Sequence, residues 1–208
     1  MGSSLVEVLV RNGYLKTAGN IRAFSDISRA DFVPSEFENE AEADIPLPIG
    51  FGQTISQPTT VALMFELLNP LPGNCVLDIG CGSGWTSALL GNIVGKDGKV
   101  IALERLPELH EMTKRNVEKF QFLSAGIVEC FLSDGLLGYP ECSPFDRILV
   151  SAGAEEIPQT LKEQLKVGGK MVIPVHNHLT FLEKRGPDDF YKEEFPGFSF
   201  VPLVKKSF

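Results

Sequence analysis

The 208-residue sequence lacks the features of several protein classes. No apolar run approaches the roughly 20 residues that span a bilayer, and the first residues show no export-signal pattern. The four cysteines include no Cys-x-x-Cys pair, and the three histidines form no metal-binding spacing with them. We therefore expect a cytoplasmic protein with free thiols, no bound metal and no membrane partner.

Basic residues are also few, with 19 Lys and Arg against 27 Asp and Glu, for a net charge of −8. Binding to nucleic-acid phosphates requires clustered basic side chains, and no basic cluster is visible. We therefore expect no nucleic-acid partner. The hydrophobic content of 43% and the charged content of 22% are ordinary for a globular protein, and the length suits one domain.

A glycine-rich stretch near the middle of the chain has the order strand, loop, helix. Residues 76–79 are a short apolar run typical of a buried parallel strand, and residues 86–94 are predicted to be helical. Three glycines at alternate positions lie between them: Gly80, Gly82 and Gly84. Such a loop lets the backbone approach a nucleotide-type ligand at a helix start. A glycine-rich turn that binds no ligand remains the alternative.

This loop is not a dinucleotide fingerprint, which has the pattern Gly-x-Gly-x-x-Gly. Trp85 directly follows Gly84, so the third glycine of that pattern is absent. We expect Trp85 to be a packing residue.

The remaining elements alternate between strand and helix, which predicts a parallel sheet covered by helices on both faces. Further strands are predicted at 99–104, 127–132, 145–151 and 170–175, and helices at 4–14, 20–30, 58–68, 107–122 and 158–165. Two last strands, 179–185 and 197–204, are expected to form an antiparallel edge, because Pro202 disfavours a central strand. The acidic stretch 36–44 is predicted to be a solvated loop.

Glu104 ends the predicted strand 99–104, twenty residues after Gly84. A Rossmann-type fold places an acidic residue near this position to bind ribose hydroxyls. A carboxylate can accept two hydrogen bonds from a vicinal diol. A surface glutamate at a strand end is the alternative interpretation.

Residues 46–58 are too rich in Pro and Gly for a regular element and too apolar for a linker. We expect an irregular functional segment in which Ile49, Phe51 and Ile55 pack over a site. Pro58 suits the first turn of the following helix.

Residues 47–58 (LPIGFGQTISQP) resemble the signature of protein-L-isoaspartate O-methyltransferases, and Asp78 with Gly80, Gly82 and Gly84 resembles motif I of S-adenosylmethionine-dependent methyltransferases. The resemblance extends over about residues 5–203. Gly153, Ala154, His176 and the tract up to Phe198 depart from the family pattern, which concerns the rim of the peptide-binding site.

The resemblance implies an α/β, Rossmann-like class I methyltransferase fold with a mostly parallel seven-stranded sheet, helices on both faces and an antiparallel C-terminal edge. One domain, 1–208, would contain N-terminal helices and a substrate-side loop (1–70) and a cofactor-binding core (71–208). It would act as a monomer on isoaspartyl-containing proteins, with S-adenosylmethionine as cofactor.

The resemblance also implies site residues. The cofactor-binding set is Asp78, Gly80, Gly82, Gly84, Glu104, Asp134 and Gly135, where the Asp134–Gly135 turn would border the adenine. Asp-Gly is also simply a favoured turn. The catalytic residue would be Ser56, and the substrate-binding set Thr54, Ile55, Gln57 and Val201. Ser56 could alternatively cap the helix that starts at Pro58.

The implied reaction transfers a methyl group to the α-carboxylate of an L-isoaspartyl residue and so initiates repair. That carboxylate, with a pKa near ~3.5, is already ionised at neutral pH. No general base is therefore needed, in agreement with the absence of any Ser/His/Asp or Cys/His pattern. The alternatives are another methyltransferase acting on a small molecule or RNA, and an S-adenosylmethionine-binding protein without catalysis.

Overall fold

The computed structural model describes residues 4–204, which fold around one seven-stranded sheet with the strand order β5-β4-β3-β6-β7-β8-β9. The strands of this sheet are β3 (Cys75–Ile79), β4 (Lys99–Glu104), β5 (Val128–Leu132), β6 (Phe145–Val150), β7 (Leu165–Val175), β8 (His178–Lys184) and β9 (Phe190–Pro196). β3 to β7 are mutually parallel, and β8 and β9 run antiparallel to their neighbours. The predicted fold class is confirmed.

Six helices accompany the sheet in residues 4–204: α1 (Leu5–Arg11), α2 (Ala18–Asp26), α3 (Pro58–Leu68), α4 (Trp85–Val94), α5 (Pro107–Glu118) and α6 (Gln159–Gln164). The buried apolar residues form two cores, one on each face of the sheet. The first packs α1 to α5 against one face. The second packs α6 and the short helical turns near residues 135–142 against the other.

Side chains from distant segments cap the N-terminal helices. Glu66 of α3 accepts hydrogen bonds from the backbone N–H groups of Lys16 and Thr17, at 3.1 and 3.0 Å, where α2 begins. Asp44 accepts a 2.8 Å bond from the backbone N–H of Thr59 in the first turn of α3. The bonds to Thr17 and Thr59 satisfy N–H groups at helix starts that have no partner within the helix, and together the bonds fix the N-terminal segment to α3.

Residues 46–58 differ from the prediction, because they contain a β-hairpin, with a register shift between Pro48 and Gly50. β1 (Leu47–Gly50) pairs antiparallel with β2 (Gln53–Ile55), and the tip turns through Gly50, Phe51 and Gly52. Ile49 and Ile55 are buried as expected, but Phe51 is 56% exposed. The prediction that Phe51 packs against the protein is therefore wrong.

The prediction of a last strand at 197–204 is also wrong. β9 instead covers Phe190–Pro196 and pairs with β8 along its whole length, from His178↔Pro196 to Lys184↔Phe190. Gly197, at φ +95°, then turns the chain away, and its N–H donates to the carbonyl of Asn177 at 3.1 Å. Residues 197–204 cross the end of the sheet and add one bridge, between Gly153 and Pro202.

The structure also bears on the expectations about metals, thiols and membranes. Across residues 4–204, no three His, Cys, Asp or Glu side chains are grouped so as to hold a metal ion. The four cysteines are free thiols. Within the same residues, none of the helices combines the length and the apolar character that a membrane crossing requires.

Candidate functional site

The candidate site is a cavity at the carboxyl ends of β3, β4 and β6. The sheet order places β4 on one side of β3 and β6 on the other, so the direction in which successive strands join the sheet reverses beside β3. Open α/β sheets bind ligands at such a switch point. The hairpin β1–β2 and residues 201–204 also line the cavity.

The glycine loop forms the floor of the cavity through Gly80 and Gly82, at φ +74° and +58°. The N–H of Gly82 donates to Glu104 Oε2 at 3.0 Å, and its carbonyl accepts from Thr113 Oγ1 at 2.8 Å. A Cβ at Gly82 would lie 3.2 Å from Ile49 Cδ1 of the hairpin. The Ile49 side chain of the hairpin therefore lies against the glycine loop, and a side chain at position 82 would have to displace it.

Gly84 packs against α5 and does not line the cavity. It adopts φ +93° and caps α4 at its N-terminus. A Cβ there would lie 3.0 Å from Val117 Cγ2 and 3.2 Å from Thr113 Cα. The absence of a side chain lets the loop lie against α5.

Asp78 lies fully buried behind the glycine loop. Its Oδ2 accepts hydrogen bonds from Thr86 Oγ1 at 2.8 Å and Ser87 Oγ at 2.6 Å, both in the first turn of α4. Burial raises the pKa of Asp78 to about 6, aided by the nearby charge of Glu104, while the two hydroxyl bonds lower it. Asp78 thus fixes the start of α4 to the end of β3, which is a positioning role.

Glu104 links the glycine loop to the turn after β4. Its Oε1 accepts from the backbone N–H groups of Arg105 and Leu106, at 2.8 and 2.9 Å, and its Oε2 accepts from Gly82. A carboxylate has about four acceptor positions, so one remains, on Oε2. Glu104 lines the cavity and can accept one ribose hydroxyl there.

We expect the change Glu104→Ala to weaken binding of S-adenosylmethionine or its demethylated product at least tenfold. The loss of a charged acceptor costs ~1.5–3 kcal/mol, and the Gly82 N–H loses its partner. Calorimetric titration with S-adenosylhomocysteine measures the effect, and Glu108→Ala, an exposed change in the first turn of α5, is the control. An unchanged dissociation constant for Glu104→Ala would contradict the ribose assignment.

The turn after β5 contributes Ser133 and Gly135 to the cavity wall. A Cβ at Gly135 would lie 2.2 Å from Ile79 Cγ2, so this glycine allows the turn to pack against β3. The Asp134 carboxylate accepts a 3.0 Å bond from the Leu136 N–H and holds the turn in shape.

The hairpin brings Gln53, Thr54, Ile55 and Ser56 to the cavity. Ser56 does not cap α3, since the N-cap residue is Gln57 and Asp44 supplies the capping bonds. Burial would raise the pKa of Asp44, but hydrogen bonds from Thr59 and Gln57 and the charge of Arg29 together lower it. The alternative role of Ser56 as a helix cap is thereby taken by Asp44, and the Ser56 hydroxyl is left for the cavity.

Arg29 supports this part of the site from behind. Arg29 is 2% exposed, and its guanidinium donates to the carbonyls of Ala41, Ala43, Ile45 and Ser56 at 2.8–3.2 Å. It also lies over the Trp85 ring, 5.5 Å from the ring centroid. Burial lowers the pKa of Arg29 to about 10, opposed by the charges of Asp44 and Glu42, so it remains protonated at neutral pH.

The C-terminal segment forms another part of the cavity wall. Gly153 donates to the Val201 carbonyl and accepts from the Leu203 N–H, each at 2.7 Å. Val201, Leu203 and Val204 line the cavity. The departure from the family pattern at Gly153 thus lies where the rim segment is attached.

The structure brings most of the predicted site residues into one lining: Thr54, Ile55, Ser56, Gly80, Gly82, Glu104, Gly135 and Val201. Four others lie outside it, namely Gln57, Asp78, Gly84 and Asp134. Sequence reasoning missed Arg29, which binds backbone carbonyls, and Asp44, which binds the Gln57 side chain and both the backbone and the hydroxyl of Thr59. It also missed Leu106 and Leu109, which add apolar lining and follow Glu104 closely in the sequence.

Comparisons with known proteins agree with this geometry. A family model described as protein-L-isoaspartate(D-aspartate) O-methyltransferase matches residues 2–208. The protein-L-isoaspartate O-methyltransferase of Methanopyrus kandleri is 44% identical over 204 residues, covering 96% of this chain and 89% of the relative. That of Staphylothermus marinus is 42% identical over 209 residues, covering 96% and 92%.

A solved structure gives the same result at the level of the fold. The crystal structure of a candidate protein-L-isoaspartate O-methyltransferase from Plasmodium falciparum, in complex with S-adenosyl-L-homocysteine, superposes with a TM-score of 0.88. It is 25% identical and covers 99% of this chain and 100% of that chain.

Proposed function

Because the chain belongs to the protein-L-isoaspartate(D-aspartate) O-methyltransferase family, we propose that it methylates the α-carboxylate of L-isoaspartyl residues in damaged proteins. One arrangement supports this activity most strongly. The Thr54–Ile55–Ser56 segment and the Gly80–Gly82 loop line the same cavity, so a methyl donor on the loop faces an acceptor held by the hairpin.

The cavity residues fit S-adenosylmethionine, which supplies an electrophilic methyl group on a positively charged sulfur. Gly80 and Gly82 present backbone without a side chain. Glu104 offers one remaining carboxylate acceptor to a ribose hydroxyl. Ser133 and Gly135 line the cavity where they would border the adenine, and Leu106 and Leu109 would provide apolar contact.

The acceptor needs orientation rather than activation. An isoaspartyl α-carboxylate has a pKa near ~3.5 and is ionised at neutral pH, so no general base takes part. The half-buried Ser56 hydroxyl donates a hydrogen bond to this carboxylate and fixes the attacking oxygen. Good alignment is worth roughly 7–11 kcal/mol of the barrier. The buried side chains of Ile49 and Ile55 exclude water from the region where charge is neutralised.

The decisive experiment compares two peptides that differ only in L-isoaspartate or L-aspartate at one position. With isotopically labelled S-adenosylmethionine, we expect the isoaspartyl peptide to be labelled at least about a hundredfold faster. The aspartyl side chain holds its carboxylate about a bond length away, and a 1 Å error costs on the order of a hundredfold in rate. The same assay with Ser56→Ala should show a lower kcat.

Ser124→Ala is the matched control, since Ser124 lies exposed in the turn before β5. It should leave kcat unchanged. Equal labelling of both peptides, or labelling only of a nucleic acid or metabolite, would favour a different methyltransferase activity. Cofactor binding in a calorimeter without turnover on any peptide would favour a binding protein. Full turnover by Ser56→Ala would reject the role of this serine alone.

We also propose that residues 1–208 act as one cytoplasmic, monomeric methyltransferase domain without nucleic-acid or membrane partners. In this organisation residues 1–70 supply the helices and hairpin on the substrate side, and residues 71–208 supply the cofactor-binding core. The net charge of −8 supports the absence of a nucleic-acid partner. The apolar core that joins α1–α3 to α4 and α5 supports one domain.

A further inference from the structure

Phe51 combines two local features that disfavour stability. Its backbone adopts φ +54°, in the left-handed region that side chains other than glycine rarely occupy. Its side chain is 56% exposed, so the ring stays largely in water. Gly50 and Gly52, at φ +91° and +70°, flank it, and a glycine at position 51 would suit this turn better. Strained residues of this kind cluster at binding sites.

Packing within the protein does not explain the Phe51 ring. A Cβ added at Gly50 or at Gly52 would meet nothing within 4 Å, so the hairpin tip stands free. Among the aromatic ring contacts of residues 4–204, none includes Phe51. The ring is therefore available to a partner from outside.

The position of the tip indicates which partner this is. Ile49 and Gln53, on either side of the Gly50–Phe51–Gly52 turn, both line the cavity, and Gln53 Nε2 donates to the Phe51 carbonyl at 3.4 Å. The exposed hairpin residues Pro48 and Thr54, which pair with each other, are uncharged as well. The tip thus adds an uncharged, partly apolar surface beside the mouth of the cavity.

We propose that Phe51 is a specificity-determining residue, which contacts the side chain next to the isoaspartyl residue in the substrate and favours an apolar neighbour. The inference rests on the proposed function. An isoaspartyl residue in a protein carries chain on both sides, so its neighbours must cross the mouth of the cavity. A phenyl ring gains contact energy when an apolar side chain removes its face from water.

The test uses two isoaspartyl peptides of equal length that differ only in the two residues flanking isoaspartate. These residues are valine and leucine in the apolar peptide and serine on both sides in the serine peptide. We expect kcat/KM to favour the apolar peptide by up to about tenfold. Phe51→Gly should raise KM for that peptide by a similar factor. The kcat, the KM for the serine peptide and the affinity for S-adenosylhomocysteine should change little. Phe51→Tyr should keep the preference.

Two controls separate this role from a loss of structure. Phe51→Gly removes the left-handed strain, so its thermal unfolding midpoint should equal or exceed that of the unmodified protein. Val167→Ala changes a side chain that is also 56% exposed but lies near the start of β7, at the opposite end of the sheet, and should leave both KM values unchanged.

The possible outcomes distinguish this inference from the proposed function. Suppose that the unmodified protein methylates isoaspartyl peptides, but the ratio of kcat/KM for the apolar peptide to kcat/KM for the serine peptide is the same in Phe51→Gly. The specificity role is then rejected and the function stands. A fall in kcat with unchanged KM rejects it as well. If the unmodified protein methylates neither isoaspartyl peptide, both the function and the inference are rejected.

Discussion

Replacing Arg29 by methionine should lower the free energy of unfolding by about 3–5 kcal/mol. Arg29 is 2% exposed, and its guanidinium donates to four backbone carbonyls between residues 41 and 56. Methionine fills similar space but donates no hydrogen bond, so the segment that leads into Ser56 loses its attachment to the helical turn Arg29–Phe32. Urea denaturation measures the change.

Arg22→Met provides the control, because Arg22 is exposed on α2, the helix that precedes the short helical turn carrying Arg29. That change should stay within about 0.5 kcal/mol. Arg29→Lys keeps the charge but cannot reach four carbonyls from one nitrogen, so it should recover only part of the loss. If the free energy of unfolding of Arg29→Met, measured by the same method, lay within about 1 kcal/mol of that of the unmodified protein, the bonds to residues 41–56 would not hold this segment in place.

The role of Arg29 could not be predicted from the sequence, because its partners are backbone carbonyls and carry no residue signature. The sequence placed Arg29 near the end of a predicted helix, 20–30, whereas α2 ends at Asp26. Asp44 was included in a solvated acidic loop, and its side chain is in fact the cap of α3. Both roles depend on contacts between segments far apart in the chain.

The cofactor-binding part of the site was easier to predict, because the residues that identify it lie close together in the sequence. β4 spans Lys99–Glu104, as predicted, and β3 differs from the prediction by one residue. A buried parallel strand is a continuous apolar run, and the loop after it has a fixed spacing. Glu104 therefore lies beside the glycine loop, where the spacing placed it.

The motif does not distinguish residues that line the cavity from residues that hold the loop. Asp78 and Gly84 belong to the same short pattern as Gly80 and Gly82, yet Asp78 binds the first turn of α4 and Gly84 lies against α5. Such packing roles impose residue types as strictly as ligand contact does. Only the three-dimensional arrangement separates them.

The hairpin and β9 were missed for opposite reasons. The hairpin is rich in Gly and Pro, residues that usually interrupt strands, and here three left-handed residues form its tip. β9 is exposed along most of its length and contains Lys192, Glu193 and Glu194, so it lacks the apolar alternation of a half-buried strand. Its pairing with β8 comes from the backbone.

Replacing Gly82 by valine should weaken S-adenosylmethionine binding by more than about a hundredfold, which corresponds to roughly 3 kcal/mol. Gly82 has φ +58°, a conformation that is a genuine outlier for a β-branched residue. A Cβ would lie 3.2 Å from Ile49 Cδ1, and any movement of the loop would break the 3.0 Å bond from the Gly82 N–H to Glu104. Calorimetry with S-adenosylhomocysteine measures the loss.

Gly126→Val separates this effect from backbone strain alone. Gly126 has φ +70°, and a Cβ there would meet nothing within 4 Å. It precedes β5, at the end of the sheet away from the cavity, so valine at position 126 should lower the thermal midpoint but leave the affinity unchanged. If Gly82→Val bound the cofactor within about fivefold of the unmodified protein, or if Gly126→Val lost binding equally, Gly82 would not form the floor of the cofactor site. A selective loss in Gly82→Val, with the fold retained by circular dichroism, would instead tie cofactor binding to the contact between glycine loop and hairpin.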